Sequence, residues 1–226
     1  MKVELRFGYR NQLDNLKVQV FNMGKNISRV LSKTIGVFES ADVKKAVKIS
    51  ESDVDIDKSG RSIEDACLKI ISLQSPYASD LRAVTGYLKI VSDLERIGDH
   101  CSDICEIVSM GNLKGQFGCY QKIVSILNEA SISFDKIRQA CFKLDVEAAK
   151  EVYLSDDKID DNFSEIILNV SDNISNGIFN VYMGSDLMFI AKYAERIGDH
   201  CVNISKWIVY VSLGFFPTPE FFRGES

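Results

Sequence analysis

Eight carboxylates in this chain fall into four pairs spaced i, i+4: Asp53 with Asp57, Glu95 with Asp99, Asp156 with Asp160, and Glu195 with Asp199. On a helix, such a pair leaves one face about 40° apart, so the two acids act together. Grouped carboxylates repel one another, and partial burial pushes their pKa values up unless a cation intervenes. Three fates are open to them: a solvated acidic face, salt bridges to Lys or Arg, or an all-oxygen metal site. A single pair of this kind is ordinarily a solvated face. Four pairs in matched register favour metal, and oxygen ligands suit Mg, Ca, Mn or iron over soft metals.

The elements that carry these acids must bring them together, and helical angles show how. Taking Val91 as zero, Val84, Leu88, Leu94 and Gly98 fall within about 60° of it, with Glu95 at about 40° and Asp99 at about 80°. Both acids therefore sit on the shoulder of an apolar stripe, whereas Lys89, Arg96 and His100 point the other way, which favours surface or supporting roles for the histidines over direct ligation. With Ile56 as zero on the preceding helix, Ile49 and Cys67 lie within about 20°, Asp53 at about 60° and Asp57 at about 100°. Asp57 is 19 residues before Pro76 and Glu95 is 19 after it. Each should stand about 28 Å from the turn, so that Asp57 faces Glu95 and Asp53 faces Asp99. No Lys or Arg is expected on that shoulder near Glu95 or Asp57. Gly98 and Gly198, each inside a helical run, let a helix or a metal approach closely or simply pack tightly.

The pairs belong to a duplication. "DVKKAVKISESDVDID" at 42–57 returns as "DVEAAKEVYLSDDKID" at 145–160, and "ERIGDHC" at 95–101 returns at 195–201. Applying the facing rule to Asp160 and Glu195 places the second turn between residues 177 and 178, at Asn176-Gly177 and not at Gly184-Ser185. Apolar residues recur at helical spacing nearly everywhere, with no strand-like alternation. The first helix should run from Leu5 to Phe38. A second should run from an Asp42 N-cap to Leu73, and a third from a Ser75 N-cap with Pro76 at N1 to near Gly111. "MGNLKGQFG" at 110–118 is the linker candidate. The expected fold is all-α: two tandem, similar three-helix bundles, residues 1–112 and 113–226.

Composition narrows the function. The chain has 226 residues, 46% of them hydrophobic, a net charge of -5 and a pI near 5.2. It carries no basic field for nucleic acid. The N-terminus has no apolar signal region and the run "WIVYVSLGFF" is too short to span a bilayer, so a cytoplasmic location is expected. Six cysteines without a CxxC pair read as buried reduced thiols, Cys101 and Cys105 included, although their i, i+4 spacing would also suit a soft metal. Neither His has Glu or Asp three residues before it, against the Glu-x-x-His of di-iron bundles, and no GxxxxGK[ST] loop occurs. A non-enzyme is expected. The competing class is a carboxylate-bridged di-metal helical-bundle enzyme or metal-storage protein, and a purely structural bundle is a third.

"DLERIGDHCSDI", "AERIGDHCVNI", "SPYASDLR" at 75–82 and the DxxxD pairs resemble the PhoU family across nearly the whole chain. The resemblance implies tandem three-helix bundles whose E(D)xxxD motifs bind metal, including multinuclear iron or zinc, at Asp53, Asp57, Glu95, Asp99, Asp156, Asp160, Glu195 and Asp199. It implies a negative regulator coupling the ATPase subunit of a phosphate ABC transporter to a sensor histidine kinase. Dimers are implied too, with the membrane reached only through partners. It marks Pro76, Ala78, Asp80 and Arg82 as signature residues, with a structural role favoured for Asp80. The second half departs from the pattern: it lacks "PxAxDLR", and Asn203 replaces Asp103. The aromatic tail "GFFPTPEFF" could cover a core or serve an interface.

Overall fold

The computed structural model describes residues 2–51, 54–113 and 118–224. Among them are eight helices and no strands: α1 Lys2–Ser40, α2 Val43–Ser50, α3 Val54–Gln74, α4 Ala78–Ser109, α5 Gly118–Lys143, α6 Val146–Ser175, α7 Val181–Leu213 and a short α8 Pro219–Arg223. α1 to α4 build the first bundle, with α2 and α3 in the place of one long helix. α5, α6 and α7 build the second.

The duplication is visible in the turns. Asp42 caps α2 by accepting from the Lys45 N–H at 3.0 Å, and its counterpart Asp145 caps α6 by accepting from Ala148 at 3.1 Å. Ala41 and Leu144, just before these caps, both hold positive φ, as do Gly111 and Gly214 after α4 and α7. The break between α6 and α7 falls at Asn176 and Gly177, the latter at φ 69°. Gly184 lies inside α7, so the facing rule chose the right turn.

Two expectations about the helix ends need correction. Ser75 does not cap α4; it takes φ 44° at the end of α3, Tyr77 occupies the N-cap position without a side-chain bond, and α4 starts at Ala78. Pro76 disfavours αR in the residue before it, and a Ser already committed to ending one helix cannot open the next. The single helix expected from Asp42 to Leu73 is two: α2 closes with Glu51, and α3 opens at Val54. Asp53 lies outside the described residues, as do residues 114–117 of the expected linker.

α4 and α7 lie at the centre, each packed against the other helices of its bundle and against each other. Contacts pair Gly86 with Val211, Asp93 with His200, and Asn112 with Asp186, so the two helices run antiparallel. The apolar core is continuous through this seam, from Leu31, Ile63 and Val91 to Phe134, Ile166 and Ile197. The side chains of Cys67, Cys101, Cys105, Cys141 and Cys201 are all buried. Burial pushes the Cys67 and Cys141 thiols up to about 12, which leaves them packing residues and not nucleophiles.

Candidate functional site

The first acidic shoulder forms between α3 and α4. Asp57, Glu95 and Asp99 are partly buried, and the Glu95 carboxyl is raised above its usual pKa, first by burial, then by Glu64, Asp57 and Asp99. Asp57 and Glu95 thus share one shoulder, with Glu95 lying over Gly60, three residues past Asp57. Arg61 partly offsets the repulsion on Glu95, and Arg96 lies 3.2 Å from Asp99, so the shoulder is not without basic side chains. The angular reading missed Arg61 because it considered the placement of the acids and not the reach of a long exposed side chain from the next turn.

Gly60 makes room for this site. A Cβ there would fall 1.9 Å from Glu95 Oε1, so only glycine lets the carboxylate lie down on α3. Sequence reasoning passed over Gly60 because it falls outside the duplicated motif; its counterpart at the same offset is Phe163.

The second shoulder, between α6 and α7, gathers Asp156, Asp160, Glu195 and Asp199. Burial, followed by Asp160, Asp199 and Glu195, pushes the Asp156 carboxyl up from 3.8 to about 7. Asp160 is raised as well, by burial and then by Glu195. Gly198 admits Asp156: a Cβ would stand 2.7 Å from Asp156 Oδ1 and 3.1 Å from Ile159 Cδ1. Lys192 reaches Glu195 Oε1 at 2.6 Å and rests over the Phe163 ring, while Glu195 Oε2 is buried with no hydrogen-bond partner. An orphaned carboxylate oxygen in an all-oxygen cluster is a donor set that suits a hard cation. Among the described residues no three His, Cys, Asp or Glu side chains converge to ligand distance.

The histidines are not surface groups. His100 is buried and His200 half-buried because the face of α4 opposite its own bundle core is covered by α7. Their rings lie 5.6 Å apart across the seam. His200 Nδ1 stands 2.9 Å from Asp93 Oδ1 on the other bundle, while His100 Nδ1 stands 3.2 Å from Asp103 on its own helix and the ring stacks on Tyr193. Burial lowers the His100 pKa, opposed by its bond to Asp103, with His200 and Arg196 lowering it further. Asn203, where the first half has Asp103, donates to Asp93 at 3.4 Å, so the departure between the halves serves the seam.

The "PYASDLR" segment has structural work. Asp80 accepts from the Tyr9 hydroxyl at 3.0 Å, tying α4 to α1, and Arg82 lies against Gly214 at the end of α7. The aromatic tail folds back: Phe222 is buried and stacks on Tyr153 at 3.8 Å, and Phe216 meets Trp207 edge-on.

Comparison with known proteins agrees with this architecture. The family model described as "PhoU domain" matches residues 20–108 and again 123–208. The phosphate-specific transport system accessory protein PhoU of Serratia marcescens is 28% identical over 207 residues, 91% of this chain and 85% of that protein. The PhoU homolog of Aquifex aeolicus is 30% identical over 210 residues, 90% of this chain and 92% of that protein. The crystal structure of PhoU from Pseudomonas aeruginosa superposes with a TM-score of 0.87 at 23% identity, covering 92% of this chain and all of that one. With both halves matched by the same family model, and each half contributing its own acidic shoulder, the chain belongs to the PhoU family.

Proposed function

We propose that this protein is an accessory and negative regulator of a phosphate transport system, which links the ATPase subunit of a phosphate ABC transporter to a sensor histidine kinase. The reading rests on one observation above the others: both halves of the chain carry the PhoU domain, and relatives aligned over about nine-tenths of it are named as accessory proteins of phosphate-specific transport. Repeats taken as residues 1–112 and 113–226 each place one acidic shoulder beside a core. In this reading the shoulders hold metal cations, iron, zinc, manganese, magnesium or calcium, through Asp53, Asp57, Glu95 and Asp99 in the first repeat and Asp156, Asp160, Glu195 and Asp199 in the second. The metal neutralises the clustered carboxylates and fixes the surface offered to partners. The protein acts without catalysis, in the cytoplasm and as a homodimer.

The test is genetic and biochemical. Deleting the gene in its own organism should switch on phosphate-starvation genes in phosphate-rich medium, and the wild-type chain should restore repression. Purified protein should bind the transporter ATPase and the kinase, more weakly once chelated. Unchanged starvation-gene expression in the deletion strain would sink the regulatory reading.

A further inference from the structure

The two repeats differ in charge where the first helix of each turns into the second. Residues 25–48, the later part of α1 and most of α2, hold six cations, Lys25, Arg29, Lys33, Lys44, Lys45 and Lys48, against two carboxylates, Glu39 and Asp42. Their counterparts at the offset of 103, residues 128–151, hold four cations against five carboxylates. The local folds correspond: Asp42 and Asp145 cap α2 and α6, and buried Phe38, Ala46 and Ile49 match buried Cys141, Ala149 and Val152. What differs is the surface charge.

In the second repeat the charges answer one another. Lys136 bonds Glu151 between α5 and α6, Arg138 lies 3.1 Å from Asp135, and Lys150 lies 3.2 Å from Glu147. In the first repeat the positions of Lys136, Glu147 and Glu151 are taken by Lys33, Lys44 and Lys48. Two ammonium groups therefore stand where the second repeat joins its helices by an ion pair. Lys45 is held by Asp42 at 3.0 Å, and Arg29 reaches only the Asn26 side-chain oxygen at 3.3 Å. Lys25, Lys33, Lys44 and Lys48 are exposed and, among the described residues, make no hydrogen bond or ion pair. Like charges gathered at an unanswered seam, on a chain whose net charge is -5, mark a surface that gains by meeting carboxylates.

We propose that the α1–α2 face docks an acidic helical segment of a partner protein, whose carboxylates fill the places that Glu147 and Glu151 hold in the second repeat. Lys25, Arg29 and Lys33 follow one another at one-turn spacing on α1, and Lys44 and Lys48 do the same on α2. The rise of about 6 Å per step matches carboxylates at i, i+4 on a helix laid along the seam. Val43 and Val47, exposed at 39% and 41% beside Lys44 and Lys48, offer that helix an apolar edge. An anionic lipid surface needs no such register, and α2 has none of the Trp, Phe or Leu that anchor a helix in a bilayer interface. Neither bound metal nor a transport-system partner enters this reading.

The test is fluorescence anisotropy of a labelled helical peptide, about 20 residues long with Glu at i, i+4 along one stripe and Leu on the next, titrated with the whole chain. The expected result is saturable binding that weakens about tenfold or more as ionic strength rises from about 0.03 to about 0.3 M. The same peptide with Gln for Glu should not bind. Lys48→Glu gives Lys33 the carboxylate that Lys136 has in Glu151 and should weaken binding about tenfold, while Lys33→Glu with Lys48→Glu should abolish it. Lys69→Glu, toward the far end of α3, changes the net charge equally and should leave binding within about twofold. Circular dichroism checks that each variant stays helical. No saturable binding, equal binding of the Gln peptide, or binding that survives the double reversal overturns the proposal. Association with phosphatidylglycerol vesicles in the absence of peptide binding overturns it too and assigns the face to a lipid surface.

Discussion

Replacing Asp156 with Asn isolates the electrostatic strain of the second shoulder. The folded protein pushes this carboxyl from 3.8 to about 7, through burial and then through Asp160, Asp199 and Glu195. A shift of about 3 units at about 1.4 kcal/mol each gives about 4 kcal/mol. The side chain keeps part of its surface in water, and screening there roughly halves the figure to about 2 kcal/mol. The sign follows from proton binding. The folded state holds this proton more tightly than the unfolded chain, so the metal-free protein is favoured at low pH and loses stability as pH rises from about 4 to about 7. Asn has nearly the same shape and cannot ionise, so it removes that loss. In chelator at about pH 8 the substitution should therefore raise Tm by about 4–8 °C, with the gain shrinking as pH falls toward about 4. Differential scanning calorimetry across that range reads it directly. No gain at the higher pH, or an equal gain at both ends, would refute the claim that clustered carboxylates strain the metal-free fold.

Other substitutions separate packing from chemistry. Gly60→Ala drives a Cβ into Glu95 Oε1, the free end of a flexible side chain, while adding about 1 kcal/mol of helix propensity. Urea unfolding should show near-wild-type stability, with metal lost from the first shoulder only. Gly198→Ala meets the Ile159 side chain as well as Asp156, and should cost about 1–3 kcal/mol in the same assay. Asp93→Ala strips His200 and Asn203 of their shared acceptor across the seam and should destabilise by about 1–3 kcal/mol. Hydrogen exchange should quicken along α4 and α7 before the outer helices.

The parts of this molecule that repeat were the parts a single sequence could disclose. Asp42 and Asp145 announced two helix starts, the "ERIGDHC" stretches two central helices, and equal heights from the turn picked Asn176-Gly177 over Gly184-Ser185. That Asp57 and Glu95 share one shoulder followed from angle and height alone. What stayed hidden depends on contacts between units. A wheel drawn for one bundle assigns His100 to solvent, because it cannot know that α7 covers that face. Gly60 was invisible because its work is to leave space for a side chain on another helix. Ser75 misled because Ser before Pro is a good N-cap signal in isolation, yet the preceding helix claims it first.

The central claim, that the repeated carboxylate pairs hold cations, is tested most directly by metal content. Protein purified without chelator or His tag would be measured by mass spectrometry, wild type beside a Glu95→Ala, Asp99→Ala double variant. The account predicts bound metal in the wild type and roughly half as much in the variant, since only the first of two shoulders is lost. Equal metal in both, or none in either after loading with iron, zinc or manganese, would contradict it.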